Sequence, residues 1–148
     1  MEKLSTGLSG VAGEYFVAAE LSRRGFMASV TLRNADSIDI HASSPKAERL
    51  FAIQVKTQQK SARSWPLSKR AESLHSPNLF YVFVSFRGMF ERPDFFIVPS
   101  IIVATQTKES HSKWLSTPGK KGQLHNDGTM RQFQDRKEEY RERWDLLT

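Results

Sequence analysis

Four side chains in the amino-terminal part of the sequence have the types needed to hydrolyse a phosphodiester: Glu14, Asp39, Gln54 and Lys56. Two carboxylates and an amide oxygen can hold a hard divalent cation, which polarises a phosphate and lowers the pKa of a water. An ammonium beside them opposes the negative charge that develops during attack and can orient the attacking water. Oxygen donors of this kind suit Mg²⁺ or Mn²⁺ better than zinc. The chain has no cysteine, and His41, His75, His111 and His125 are widely scattered. The tripeptide His125-Asn126-Asp127 lacks a partner histidine at suitable spacing and is set aside. Taken singly, Gln54 and Lys56 read as a solvated strand face, and Asp39 as a strand-end carboxylate with local hydrogen bonds. Their weight comes from occurring together.

The elements that must position these residues follow from hydrophobic period. Leu8, Val11, Ala12, Tyr15 and Ala19 recur at helical spacing up to Arg24, and Gly25 offers a stop. A second apolar stripe of Phe16, Val17, Ala18 and Leu21 predicts a helix packed on two sides, with Glu14 on a close-packed face and Glu20 free to pair with Arg24 at the surface. The period then changes to two. Phe26 to Leu32, Ser37 to Ala42 and Leu50 to Thr57 read as strands, separated at Asn34-Ala35-Asp36 and at Ser43-Ser44-Pro45. In the third of them Phe51, Ile53 and Val55 alternate with Ala52, Gln54 and Lys56, so the amide and the ammonium share one face. If the second and third strands form a hairpin, Asp39 joins that face and the helix brings Glu14 beside it.

Further along, Pro66 is expected to lead into a short helix from about Leu67 to Leu74. Leu79 to Phe86 suits a buried central strand and Phe95 to Val98 a fifth strand. Ser100 is expected to cap a helix reaching toward Leu115, Thr117 to Gly128 to form an exposed loop, and Arg131 to Leu147 to form a terminal helix docked through Phe133, Tyr140, Trp144 and Leu147.

Composition narrows the class. The 148 residues, 39% hydrophobic and 26% charged, fit a single α/β domain spanning 1–148, with a core over about residues 5–100 and a helical extension over 100–148. The absence of cysteine excludes disulfide scaffolds and thiolate chemistry and fits a reducing cytoplasm. No apolar run approaches the ~18 residues of a membrane span, so no membrane partner is expected. The net charge is +6. It is concentrated where Lys46, Arg49, Lys56, Lys60, Arg63, Lys69 and Arg70 stand against Glu48 alone. This basic run directly follows Lys56. Lys60, Arg63, Lys69 and Arg70 are therefore expected to contact nucleic-acid phosphates, with Trp65 as a stacking residue.

Glu14 in a first helix, Asp39 in a strand and Gln54-Val55-Lys56 in the next resemble the PD-(D/E)xK, or restriction-endonuclease-like, nucleases, and the order of elements over about residues 5 to 100 is similar too. The resemblance implies an α/β/α core with a mixed sheet of about five strands flanked by helices, and Mg²⁺- or Mn²⁺-dependent hydrolysis of DNA. It also implies homodimers, frequent in that family. By the same resemblance Asp39 is the central metal-ligating acid, Gln54 a ligand in place of the usual acidic residue, Lys56 the catalytic lysine, and Glu14 the helix acid serving a second metal or its water. Two departures stand out: Ile38 rather than proline precedes Asp39, and Gln54 removes a negative charge. The second keeps an alternative open, a non-catalytic nucleic-acid- or protein-binding module that retains the fold.

Overall fold

The computed structural model describes residues 2–32 and 38–148. The expected turn at Asn34-Ala35-Asp36 and the expected start of the second strand at Ser37 lie outside the described residues. The chain begins with helix α1, Thr6–Arg23, whose N-cap Ser5 accepts the Leu8 N–H through its hydroxyl at 3.2 Å. Strands β1 (Met27–Val30), β2 (Ile40–Ser43) and β3 (Leu50–Gln58) follow as an antiparallel meander.

After β3 the chain makes strand β4 (Ser64–Ser68) and a 3₁₀ turn, Lys69–Glu72. It then enters β5 (Leu79–Ser85), parallel to β3, and β6 (Asp94–Pro99), antiparallel to β5. The main sheet has the order β1-β2-β3-β5-β6. Helix α2, Ser100–Ser116, and strand β7, Met130–Gln134, complete the larger elements, and β7 pairs with β4 as a separate two-stranded ribbon. A short 3₁₀ turn, Trp144–Leu146, lies near the carboxyl end.

The sheet buries two layers, as its alternating residues require. On one side Val17 and Leu21 of α1 pack on Ile53, Val55, Val82 and Val84. On the other, α2 and the ribbon cover Tyr81, Phe83, Phe96 and Val98 with Val103, Trp65 and Phe133. Stacking of Phe83 on Phe133 at 4.6 Å and 10° ties the ribbon to the sheet. Every residue of β5 is buried, as expected for a strand covered on both faces and paired on both edges.

The structure corrects several sequence expectations. Pro66 lies inside a strand and does not lead into a helix. The bonds Asp135 N–H to Arg63 O and Lys69 N–H to Thr129 O bracket the ribbon. Residues 65 and 67 therefore take the bonded positions, and Pro66, opposite Gln132, needs no N–H toward β7. Trp65 is buried, donating its indole N–H to Val84 O at 3.1 Å, so it is no stacking platform.

Residues 131–147 are not a helix either. Phe133 belongs to β7, and Asp135 closes a turn by accepting the N–H groups of Glu139 and Tyr140, each at 2.9 Å. The segment then runs along β6 through Ile97 N–H to Tyr140 O (3.0 Å) and Glu142 N–H to Phe95 O (2.9 Å). Phe133, Trp144 and Leu147 are nonetheless buried and Tyr140 partly so. Ser100 is the first residue of α2 and not its cap. Its hydroxyl accepts from Ser76 N–H and donates to Ser76 O, both at 3.0 Å. Glu20 does pair with Arg24, but it is buried and is bonded by Arg92 as well, rather than making a surface pair.

Candidate active site

The pairing register places three of the four candidate residues. Ile40 stands opposite Ile53 at the last paired position of β2, so Asp39 lies where that pairing ends, and Gln54 and Lys56 follow on one face of β3. Asp39 is also where β2 parts from β3. Its N–H still donates to Ile53 O at 2.9 Å, and its carbonyl accepts Thr31 N–H at 2.8 Å. The next free donor of β3, the Val55 N–H, is met not by backbone but by Asp39 Oδ2 at 2.7 Å. The carboxylate thus substitutes for a strand partner, and that bond fixes its orientation.

Gln54 and Lys56 face the layer covered by the ribbon and the 3₁₀ turn. They line a cleft of about 30 Å³ together with Leu67, Ser68, Arg70, Ala71, Leu74 and Tyr81. That volume holds a water or two, or a cation with a water. Gln54 Oε1 is buried and makes no hydrogen bond among the described residues. A buried acceptor without a donor is costly, and a cation is one partner that would satisfy it. Tyr81 stands beside Gln54 in the parallel pairing of β3 and β5. Burial pushes its phenol up to about 12, with Arg70 pulling weakly the other way, so it stays a neutral hydroxyl.

Glu14 belongs to α1, in the layer opposite the one that Gln54 and Lys56 face. The preceding Gly13 lets α1 approach β3 so closely that a Cβ there would run into the Thr57 side chain. Glu14, half-buried, is therefore at the level of the carboxyl end of β3, beyond the point where β2 has left it. Gln54 and Lys56 share a face of β3, the Asp39 carboxylate bonds the N–H of Val55 between them, and Glu14 belongs to the helix that packs on the other face of the sheet. Among the described residues no group of three His, Cys, Asp or Glu side chains is placed to hold a metal ion.

The basic residues divide. Lys60, Lys69 and Arg70 are exposed, and Arg70 lines the cleft. Arg63 is committed to the fold: it bonds Asp94 at 3.0 Å and Glu138 at 2.6 Å and lies over the Phe96 ring at 5.0 Å. The Arg63 guanidinium, helped by Arg141, holds the Glu138 carboxyl below its ordinary range. Sequence reasoning passed over Tyr81, whose position in an apolar run gave no hint that it borders the cleft.

No family model and no curated protein matches this chain. Among solved structures it is similar to the bacterial homing endonuclease I-Ssp6803I, with a TM-score of 0.56 at 16% identity over 98% of this chain and 92% of that one. It also aligns with Hjc, a Holliday junction resolvase of the hyperthermophilic archaeon Archaeoglobus fulgidus, with a TM-score of 0.42 at 14% identity over 80% and 85%. The first match, extending over nearly the whole of both chains, carries the comparison, and at such identity what is shared is the fold. With its mixed five-strand sheet between helical layers, the chain has a restriction-endonuclease-like α/β/α fold.

Proposed function

We propose that the protein is a divalent-metal-dependent endonuclease that hydrolyses phosphodiester bonds of DNA. One observation carries the reading: the Asp39 carboxylate is bonded to the Val55 N–H, and the residues on either side of Val55, Gln54 with its hydrogen-bond-free buried amide oxygen and Lys56, line one small cleft. The likeness to a homing endonuclease supports it at the level of fold.

Asp39 Oδ1 and Gln54 Oε1 would hold Mg²⁺ or Mn²⁺, with Glu14 completing the set around the flank of β3. The ion, when bound, supplies Lewis-acid polarisation of the scissile phosphate. Lys56 donates to the phosphate oxygen that gains charge and to the attacking water, while Arg70 at the cleft and the exposed Lys60 and Lys69 bind flanking phosphates. Arg63, held in its ion pairs, is left out of this contact set.

The test incubates the full chain with supercoiled and linear DNA and Mg²⁺ or Mn²⁺, alongside Asp39→Ala and Lys56→Ala. Metal-dependent cutting that both substitutions abolish is expected. Absence of cutting, or cutting that neither substitution alters, refutes the reading. Gln54 favours a second one, a module that binds nucleic acid or protein without turnover. Gln54→Glu separates them: an enzyme poised for catalysis keeps or gains cutting as its cation affinity rises, whereas a binding module gains affinity alone.

A further inference from the structure

The proposed reaction leaves unused a larger groove of about 1000 Å³ on the α2 side of the molecule. Pro66, Gln132 and Gln134 of the ribbon line it, with Gln106 of α2 and with Arg136 and Lys137 beyond β7. Trp114 borders it and sits in a column of three rings, 5.6 Å from His111 at 27° and 4.0 Å from His125 at 21°. Trp114 is 45% exposed, whereas Trp65 and Trp144 are 1% and 7% exposed.

The charge around this column selects the occupant. From Ser110 to Asn126 the sequence has Lys113, Lys120 and Lys121 and no carboxylate. Arg136 and Lys137 are exposed on the groove. Of the lining carboxylates, Asp135 is buried with both oxygens on backbone N–H groups, and Glu139 is the exposed one. Asp127, at the loop's end, is held by His111 at 2.8 Å. A surface that offers stacking rings, amides and cations suits a polyanion with accessible π faces, which an unpaired strand has and an intact duplex does not. Pro66 lines the groove while its neighbours Leu67 and Ser68 line the cleft of Gln54 and Lys56. A strand seated in the groove therefore passes within one β-strand's width of that cleft.

We propose that this groove seats an unpaired DNA strand continuous with the duplex to be cut, its bases extending the His111–Trp114–His125 column and its phosphates meeting Arg136 and Lys137. The preferred substrate is then a duplex with a single-stranded tail, an inference that rests on the nuclease reading for its choice of DNA.

The test is binding of the full chain in chelator, where no metal-dependent cutting occurs. The probes are a blunt duplex, the same duplex with an oligothymidylate tail of about 16 nucleotides, and one with an oligouridylate tail. The DNA-tailed probe is expected to bind tightest and to quench tryptophan fluorescence. Trp114→Ala should remove the quenching and weaken the tailed probe roughly 10-fold while leaving the blunt duplex within about two-fold. Trp114→Phe should restore most of the affinity, which separates stacking from support of the fold. Equal binding of blunt and tailed probes, equal loss on both with Trp114→Ala, or tighter binding of the RNA-tailed probe overturns the proposal. Tail-dependent binding by a chain that never cuts would sink the nuclease reading and leave the groove standing; cutting of blunt duplex with no tail effect would do the reverse.

Discussion

A neutral amide at position 54 leaves Asp39 and Glu14 as the only formal anions proposed for the cation, with Lys56 and Arg70 close by. Gln54→Glu adds one charge, so the expected outcome is a larger Mg²⁺-dependent rise in Tm; cation at 100 times its Kd stabilises by about 2.7 kcal/mol. Differential scanning fluorimetry over a Mg²⁺ series reads it, and an unchanged series would show that residue 54 does not ligate. Lys56→Ala should lower the cleavage rate on the order of 100-fold or more while DNA affinity in chelator changes little, because its ammonium acts on charge that develops during attack. Arg63→Ala should do the opposite, lowering Tm and leaving the salt dependence of DNA binding as it was, since its partners are Asp94 and Glu138. The shared face of Gln54 and Lys56 was legible because strand period alone decides it. The burial of Trp65 and the pairing of Arg63 were not, because Val84, Asp94 and Glu138 lie far away in sequence.

At the scale of elements, α1 and the strands among the described residues illustrate what period can and cannot tell. The helix and the meander were legible from their apolar spacing, although the stripe Leu8, Tyr15 and Ala19 proves to be the exposed one and Val17 and Leu21 the packed one. Spacing marks a stripe without saying which side meets the sheet. Gly13 decides that contact. Gly13→Ala forces a Cβ into Thr57, and the expected cost is about 2 kcal/mol, or roughly 5 °C in Tm by calorimetry, with Glu14 displaced and cleavage reduced as well. Unchanged Tm would mean that α1 sits further from β3 than described. The ribbon was illegible for another reason. Phe133, Tyr140, Trp144 and Leu147 fall at spacings a helix would also produce, and only the partner strand β4 decides for an extended β7.

For the molecule as a whole, Glu20 is one carboxylate through which stability depends on pH. Hydrogen bonds from Arg92 and then Arg24, opposed by burial, hold its carboxyl down from 4.5 to about 2. Because the folded value lies below the unfolded one, the stabilisation is complete above about 4.5 and is lost as pH falls toward about 2. Arg92 also binds Glu142 at 2.6 Å, so the same acid titration loosens the carboxyl-terminal segment. Urea unfolding at pH 7 should show Glu20→Gln to be less stable by about 2 kcal/mol, and its stability should fall less steeply than wild type between pH 4.5 and 2. Parallel pH curves for the two proteins would reject this account. No helix among the described residues is long and apolar enough to cross a membrane.

Leu147, 1% exposed, belongs to the α1 layer of the core, and Phe133, fully buried, to the α2 layer. The α2 compartment cannot close before Phe133 has been delivered by translation, nor the α1 compartment before Leu147. A nascent chain that has emerged only as far as β6 holds its restriction-endonuclease-like sheet half covered, and a stop codon placed before β7 should yield insoluble product rather than a smaller working domain.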